Sequence, residues 1–485
     1  MTQRIFILLR ENTKNSIVKR FLFIYFCRPI FKMFHSSIED TITAIATPIG
    51  VGALAIVRIS GKSSIAVADK IFNGKQSVAS VNSHTIHYGK IFDDAGNLID
   101  DVILSVFRAP NSYTGEDLVE ISCHGNPLIS QKIINEILKH NVRIAEPGEF
   151  TKRAFLNNKL DLAQAEAVAD IISSRTDASL RGARNQLDGI LSKSVSTLRQ
   201  SLIDILSFIE LELDFAEENL EFLARSDLIK KIELIIQNID NLLKTFTFGK
   251  VLRDGVNVVI VGKPNVGKSS LLNYFLKESR AIVSHIPGTT RDIIREEISI
   301  DGILFKLYDT AGIRHSQDVI EIEGIKRSSD AIKNADLILF INDVMQGYSS
   351  DLYEELCQLN VRERIIKVIN KVDLCISSEV PDAIYVSALT GEGMDMLTTE
   401  MKRKALGSES YSEKSVIVSN VRHFRCLTAA KNSLESSLSA IKEKLSGEFV
   451  AIDVRDAVSS LGEIIGEVTS DDLLNNIFSK FCIGK

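Results

Sequence analysis

Apolar side chains recur at three- and four-residue spacing through long stretches of this chain. Residues 198–213 and 228–243 show the spacing, and the region after about residue 420 has the same character. Proline, which interrupts helices, is absent between Pro147 and Pro264. The pattern therefore predicts long amphipathic helices on both sides of a central region.

The central region instead contains short apolar runs separated by helical lengths. Residues 294–308 predict a hairpin that turns at Asp301 and Gly302. Continuous apolar runs of this length are typical of strands buried on both faces of an α/β sheet. The predicted strands outside the hairpin lie at 256–261, 337–341, 365–369 and 383–386.

The chain has 485 residues, of which 45% are hydrophobic and 25% are charged. This length and composition allow several buried cores. We predict a multidomain protein with an N-terminal α+β domain and an α/β domain inserted into a discontinuous helical domain. The expected boundaries are 36–153 for the N-terminal domain, 154–250 and 406–485 for the helical domain, and 251–405 for the inserted domain.

Residues 1–34 differ from the rest because they hold seven basic residues against the single acid Glu11. Three interpretations of this basic extension remain open: an over-long start preceding Met33, a mitochondrial presequence, or an amphipathic membrane anchor. The apolar run at 21–27 is too short to span a bilayer, and we expect no stable membrane association. The six cysteines lack zinc-ligand spacing, which favours a reducing compartment, either a bacterial cytoplasm or a mitochondrion. The net charge of −6 argues against nonspecific coating of nucleic acid.

A phosphate-binding motif lies between the first predicted strand of the central region and a helix. The sequence GKPNVGKS at 262–269 matches GxxxxGK[ST], whose backbone N–H groups surround phosphate oxygens at a helix N-terminus. We expect Lys268 to reach the β- and γ-phosphates and Ser269 to bind Mg²⁺. The residues predicted to contact the nucleotide here are Asn265, Val266, Gly267, Lys268, Ser269 and Ser270.

Two further segments have the order expected for sensing a γ-phosphate. The sequence DTAG follows the hairpin, where an aspartate can hold Mg²⁺ through water and Gly312 can donate its N–H to the phosphate. The sequence GTTRD at 288–292 lies between the phosphate-loop helix and the hairpin, and by position Thr290 is the second Mg²⁺ ligand. The predicted nucleotide contacts in these segments are Gly288, Thr289, Thr290, Asp309, Thr310, Ala311 and Gly312.

Two motifs on the next strands predict that the base is guanine. In NKVD, the carboxylate of Asp373 can accept hydrogen bonds from the N1–H and the amine of guanine. Adenine has no such amine and would leave this acid unpaired, which strongly disfavours it. The predicted base contacts are Asn370, Lys371 and Asp373, followed by Ser387, Ala388 and Leu389.

The hydrolytic machinery must differ from that of Ras-like proteins. Ile313 follows Gly312 at the position where those proteins carry a water-orienting glutamine. Glu321 and Glu323 are candidates for this role, and a solvated acidic helix start explains them equally well. Asn265 could supply an oxygen ligand to a monovalent cation that neutralises developing charge.

Taken in order, these motifs and their flanks resemble the tRNA-modifying GTPase family MnmE, also called TrmE. The resemblance covers about residues 40–485. It rests on the nucleotide motifs and on the sequences DTITAIATP at 40–48, VRISG at 57–61, YTGED at 113–117, EPGEFTKRAF at 146–155, KLDLAQAE at 159–166 and FSKFCIGK at 478–485.

The resemblance implies a GTPase that acts in tRNA modification. Its N-terminal domain would bind folate and form a homodimer. With a flavoprotein partner of the MnmG (GidA) type, in a heterotetramer, it would add an aminomethyl or carboxymethylaminomethyl group to C5 of wobble uridine 34 in certain tRNAs. The one-carbon unit would come from 5-formyltetrahydrofolate or a related tetrahydrofolate, and potassium-stimulated GTP hydrolysis would drive a conformational change.

The resemblance also implies roles for individual residues. Glu321 would be the water-orienting acid, with Lys268 and Gly312 completing the catalytic set, and His285 and Pro287 would lie in the potassium loop beside GTP. Cys482 could act as a nucleophilic thiol or pack as a buried free cysteine. The implied potassium ligands are Asn265, Ser284, Ile286 and Thr289, and the implied folate ligands are Arg58, Glu120, Lys159 and Lys485.

The chain departs modestly from the family pattern. Asn126 stands where a second glycine is usual, and His285 stands where an acid is common. An alternative function is ribosome assembly by an Era- or Der-like GTPase, whose G domain shares these motifs. An Era-like protein would carry a KH-type GxxG module after the G domain, whereas this tail is predicted to be helical.

Overall fold

The computed structural model describes residues 40–214, 224–278, 295–309, 331–359, 361–375, 380–407 and 416–485. They form two compact units. The first contains the described residues up to Leu160 together with Asp471–Lys485, and the second is Asp161–Ser470.

The first unit contains a seven-stranded sheet with the order β3-β4-β5-β6-β2-β1-β7. Only the β1–β7 pair is parallel within this sheet. Apolar residues alternate along β2, β5 and β6 and point into one core. The strands are β1 Thr41–Ile45, β2 Leu54–Ser60, β3 Phe72–Gly74, β4 Thr85–Phe92, β5 Leu98–Phe107, β6 Leu118–His124 and β7 Val142–Ile144.

The second unit contains a six-stranded sheet with the order β13-β12-β11-β8-β10-β9. The β9–β10 pair is the predicted hairpin; its turn residues Asp301 and Gly302 have φ values of 48° and 83°, as a two-residue type I′ turn requires. The other pairs are parallel. The strands are β8 Val256–Val261, β9 Arg295–Ile300, β10 Ile303–Asp309, β11 Leu337–Asp343, β12 Ile365–Asn370 and β13 Ala383–Tyr385.

Helices flank both sheets, and side chains define several of their starts. Asp161 and Gln164 form a capping box at the start of α4. Asn126, the departure noted above, accepts a hydrogen bond from the Leu128 N–H and caps α2. The helices are α1 Ser64–Ile71, α2 Pro127–Leu138, α3 Glu149–Leu156, α4 Leu162–Ser173, α5 Asp177–Leu187, α6 Ile190–Asp214, α7 Arg225–Lys244, α8 Phe246–Asp254, α9 Lys268–Glu278, α10 Ser350–Gln358, α11 Met394–Leu406, α12 Val421–Lys442, α13 Gly447–Ile465 and α14 Asp471–Phe478.

The predicted long helices are α6, α7, α12 and α13, which bury one apolar core together. The helical part is thus built from sequence on both sides of the α/β sheet, as the periodicity predicted. Within the part of the chain that the structure describes, no helix combines the length and apolarity needed to cross a bilayer.

The structure differs from the predicted boundaries in three places. Position 153/154 falls inside α3 and position 250/251 falls inside α8, and the first unit ends at Leu160. Helix α14 belongs to the first unit rather than to the helical part. Phe478 is buried there, and a Cβ on Gly148 would stand 2.6 Å from the Phe478 carbonyl oxygen, so the glycine permits this close approach.

Candidate nucleotide site and N-terminal pocket

The phosphate loop connects β8 to α9 by a tight turn. Asn265 and Gly267 both have positive φ, 64° and 94°. A Cβ on Gly267 would lie 2.2 Å from the Nδ2 atom of Asn370, so only glycine fits here. The Lys268 side chain is buried, and its Nζ donates to the carbonyl oxygens of Gly262 at 2.9 Å and Lys263 at 2.8 Å. The ammonium group therefore lies within the loop that the motif predicts for phosphate.

The base-binding motifs meet at the carboxyl ends of β12 and β13. Buried Asn370 donates through Nδ2 to the Val266 carbonyl oxygen at 3.0 Å, and its Oδ1 accepts from the Ala388 N–H at 3.1 Å. The Ser387 hydroxyl donates to Asp373 Oδ1 at 2.6 Å. Asp373 is exposed and held in place by this bond, so the geometry presents its carboxylate to a ligand. Leu389 is 84% exposed beside it.

The structure adds Asp343, at the end of β11, to the predicted site. Its Oδ2 atom lies 2.6 Å from the Nζ atom of Lys371, which also donates to the Asn265 carbonyl oxygen at 2.8 Å. Burial on its own would raise the pKa of Asp343, but the bond from Lys371 lowers it below its usual value. The sequence did contain a signal for Asp343: it is an acid at the carboxyl end of a predicted parallel strand, where α/β proteins bind ligands.

Several predicted nucleotide contacts lie outside the described residues. Asp309 ends β10, and its backbone pairs in register with Ile260 of β8. Ser269 and Ser270 lie in the first turn of α9 and are exposed. The predicted residues outside the described ranges are Ser284, His285, Ile286, Pro287, Gly288, Thr289, Thr290, Thr310, Ala311, Gly312, Glu321 and Glu323.

The structure places the folate candidates Arg58 and Glu120 on adjacent strands of the first unit. They are register partners on β2 and β6, and Arg58 Nε donates to Glu120 Oε1 at 2.7 Å. The Arg58 guanidinium carbon lies 5.9 Å from the centre of the Tyr113 ring. Its Nη1 atom donates to the Gly484 carbonyl oxygen at 3.2 Å, which brings the end of the chain to the same place.

The two candidate lysines lie in the same unit, and Lys485 is the one beside Arg58 and Glu120. Lys485 is half-buried; burial and then the positive charge of Arg58 lower its pKa. Lys159 Nζ donates to the Pro110 carbonyl oxygen at 3.0 Å. A Cβ on Gly115 would lie 3.3 Å from Lys159 Cγ, so the lysine stem runs beside the loop that carries Tyr113. Arg58, Glu120, Gly484 and Lys485 thus lie together, and Lys159 lies beside the loop that contains Tyr113.

Cys482 is exposed in this unit. The expectation of a buried cysteine that packs near the pocket is therefore wrong. Its backbone supplies structure instead, because the Cys482 carbonyl oxygen accepts hydrogen bonds from the N–H groups of Gly148 and Lys485, both at 3.3 Å. The thiol role stays a prediction.

A buried arginine that was not among the predicted site residues supports the loop that contains Tyr113. Arg153 is 1% exposed and donates through Nη1 to both carboxylate oxygens of Glu116 at 3.2 Å. Its Nη2 atom donates to Glu149 at 2.9 Å and to Asp40 at 2.7 Å. Buried charges need such partners, so the three acids fix Arg153 and, through Glu116, the loop beside Arg58.

The helical part contains a second buried ionic cluster. Glu166 of α4 accepts bonds from Arg422 at 2.8 and 2.9 Å and from His423 Nε2 at 2.8 Å. Burial would raise the pKa of Glu166, but bonds from His423 and Arg422 lower it to about 2. Burial lowers the pKa of His423, so we assign it as neutral with its proton on Nε2. The cluster joins α4 to α12.

Two family models match this chain. The model described as "GTP-binding protein TrmE N-terminus" matches residues 41–159, and the model described as "MnmE helical domain" matches residues 162–482. A Carboxydothermus hydrogenoformans protein named "tRNA modification GTPase MnmE" is 43% identical over 92% of this chain and 100% of its own length. An Aquifex aeolicus protein of the same name is 44% identical over the same shares.

The chain belongs to the MnmE family. The similarity covers both the N-terminal domain and the helical domain, and this confirms the family resemblance. It also removes the support for the Era- or Der-like alternative, whose flanks should differ. The family assignment agrees with the observed order of an N-terminal domain, a helical domain and a P-loop α/β domain.

Proposed function

We propose that this protein is a GTP-hydrolysing enzyme of tRNA modification. With a flavoprotein partner of the MnmG type, it adds an aminomethyl or carboxymethylaminomethyl group to C5 of wobble uridine 34. The identity of 43–44% over 92% of this chain with proteins named tRNA modification GTPase MnmE carries the proposal. The guanine-reading arrangement around Asp373 supports the nucleotide assignment independently.

GTP would bind along the edge where β8, β11 and β12 end. Lys268 would meet the phosphates, since its ammonium group already lies inside the loop. Magnesium prefers oxygen ligands, and the Ser269 hydroxyl at the start of α9 suits it, with Thr290 as the second proposed ligand. Asp373 would accept hydrogen bonds from guanine while Ser387 holds it. Glu321 would orient the attacking water, and Gly312 would donate to the γ-phosphate.

Potassium would supply the positive charge that an arginine supplies in other GTPases. Asn265 supports this role, because its left-handed backbone places it at the bend of the phosphate loop. The other proposed ligands are Ser284, Ile286 and Thr289.

A tetrahydrofolate derivative would bind in the N-terminal pocket. Folate carries carboxylates, which Arg58, Lys159 and Lys485 can pair with, and a pterin edge whose N–H groups Glu120 can accept. The Arg58–Glu120 contact and the approach of Gly484 support a single shared pocket. The N-terminal domain would also form the homodimer, to which the flavoprotein binds.

Mass spectrometry of wobble uridines in cells lacking the gene tests the whole proposal. Complementation with the wild-type gene should restore the modified uridine, and the Lys268→Ala variant should not. Lys277→Ala, an exposed lysine in the last turn of the same helix, is the matched control and should restore it. A wobble uridine unchanged by the deletion would refute the proposed reaction.

A further inference from the structure

Lys371 occupies a constrained position between two strands and the phosphate loop. Its φ is 68°, in the left-handed region that non-glycine residues seldom adopt. Its Nζ atom bonds the Asn265 carbonyl oxygen on one side and Asp343 on the other. The lysine therefore ties the base-binding motif to the phosphate loop.

Asp343 is fixed more rigidly than the lysine that it holds. It is 3% exposed, and β11 places it in parallel register beside Asn370. Its Oδ1 atom accepts from the Met345 N–H at 2.8 Å, and its carbonyl oxygen accepts from the Gly347 N–H at 3.0 Å in a closed turn. The Oδ2 atom is thereby aimed at Lys371, and the short distance of 2.6 Å is that of a charge-assisted bond.

We propose that Asp343 is a positioning residue for nucleotide binding, which holds Lys371 against the phosphate loop before the guanine nucleotide arrives. The inference rests on the proposed GTP site and extends it to a residue outside the nucleotide motifs. A free lysine side chain loses considerable rotational entropy when it is ordered. Because Asp343 and Asn265 order Lys371 in advance, the nucleotide does not bear that cost, and its release is slowed.

The test is the release rate of a fluorescent GDP from the full-length protein. Asp343→Asn keeps an oxygen for the Met345 N–H but removes the charge that holds Lys371, so release should quicken by about tenfold, which corresponds to about 1.4 kcal/mol. Asp343→Ser keeps a turn-forming hydroxyl in a smaller side chain and should act in the same direction. Asp336→Asn is the matched control, since Asp336 precedes the same strand at its other end and bonds Asn257.

A double-mutant cycle separates positioning from a general structural role. If Asp343 acts through Lys371, the Asp343→Asn/Lys371→Met double variant should release GDP at the rate of Lys371→Met alone, within about twofold. Without nucleotide, the thermal unfolding midpoint of Asp343→Asn should match that of Asp336→Asn. Unchanged release in both Asp343 variants, or effects that multiply in the double variant, would overturn the inference. Wild-type protein that fails to retain GDP would instead refute the GTP site itself.

Discussion

The candidate nucleotide site and the proposed folate site both contain charged side chains suited to an anionic ligand, but their residues are spread over very different lengths of chain. The nucleotide site uses short contiguous motifs, each at the end of a strand, and the sheet brings those ends together. The proposed folate residues are Arg58, Glu120, Lys159 and Lys485; Arg58 contacts Glu120, 62 residues away, and the Gly484 carbonyl oxygen, 426 residues away. Local spacing defines the first site, whereas tertiary packing defines the second.

The two sites should respond differently to substitutions. In a contiguous site, one side chain can be changed without disturbing its neighbours, because the backbone sets the geometry. In a dispersed site, the same side chains that bind the ligand also join distant segments. We therefore expect substitutions in the nucleotide site to change ligand choice, and substitutions at dispersed charges to change binding and folding together.

The largest expected effect is on base choice. Asp373→Asn should weaken GTP binding by roughly 100-fold or more and should favour xanthosine triphosphate, because the amide presents a donor where guanine needs an acceptor. Competition between the two nucleotides for one fluorescent analogue measures the change. Asp382→Asn is the control: Asp382 is exposed, and its φ of 58° suits asparagine. Retained GTP preference in Asp373→Asn would show that this carboxylate does not read the base.

The next effect is on the stability of the helical part. Glu166→Gln should reduce the free energy of unfolding by about 3 kcal/mol, because it removes the charge of a buried acid and leaves partly buried Arg422 without its charge partner. Denaturant unfolding of the full-length protein at pH 7 measures this change. Glu233→Gln, at an exposed position on α7, is a control that should cost far less. Equal losses in the two variants would contradict a special role for the buried cluster.

The lowered pKa of Glu166 predicts that the stability of the protein depends on pH. The folded pKa of Glu166, about 2, lies below its unfolded value of 4.5, so its contribution to stability is complete above about pH 5 and is lost as the pH falls towards 2. The lowered pKa of His423 acts in the same direction below its usual value of 6.5. Unfolding midpoints of wild type measured from pH 7 to pH 3 should fall, and Glu166→Gln should flatten the acid part of the curve. If the unfolding midpoints of wild type and Glu166→Gln fell equally with pH, Glu166 would not be a cause of the loss of stability in acid.

A smaller effect is expected on folate binding. Arg58→Ala should weaken 5-formyltetrahydrofolate binding by about tenfold or more, because it removes a charge-assisted partner of the ligand. Calorimetric titration measures the affinity, and GTP binding by the same preparation shows whether the second unit is intact. Lys90→Ala, an exposed cation on β4 of the same sheet, should bind folate normally. Normal folate binding by Arg58→Ala would remove this arginine from the proposed pocket.

The smallest expected effect concerns the cation. GTP hydrolysis should be several-fold faster in potassium than in sodium, and Asn265→Ala should reduce that ratio by removing one oxygen ligand. Steady-state rates at equal ionic strength measure it. Asn273→Ala, an exposed position on α9, serves as the control. A wild-type rate that is indifferent to the cation would contradict the potassium assignment.

The sequence predicted the parts of the molecule that depend on local periodicity. The long helices, the positions of the α/β strands along the chain and the hairpin at Asp301 and Gly302 are observed as expected. The domain boundaries could not be predicted from the sequence as well as these elements. Helix α14 has an amphipathic pattern like the helices before it, and tertiary contacts place it in the first unit, among them the close fit of Phe478 against Gly148 and the bond from Lys152 to Asn475.

The site residues divide in the same way. Asn370, Asp373 and Ser387 could be assigned from motifs because their spacing fixes their backbone positions. Asp343 and Arg153 could not, since their roles depend on partners 28 and 37 residues away. The exposure of Cys482 likewise follows from tertiary packing and not from its neighbours in sequence.

The hydrogen bond from Arg58 to the Gly484 carbonyl oxygen spans 426 residues. During synthesis at about 5–20 residues per second, the arginine emerges tens of seconds before its acceptor exists. The first unit therefore cannot form this contact until the whole of the second unit, Asp161–Ser470, has been synthesised. The N-terminal sheet must exist without the contact while the second unit is being made.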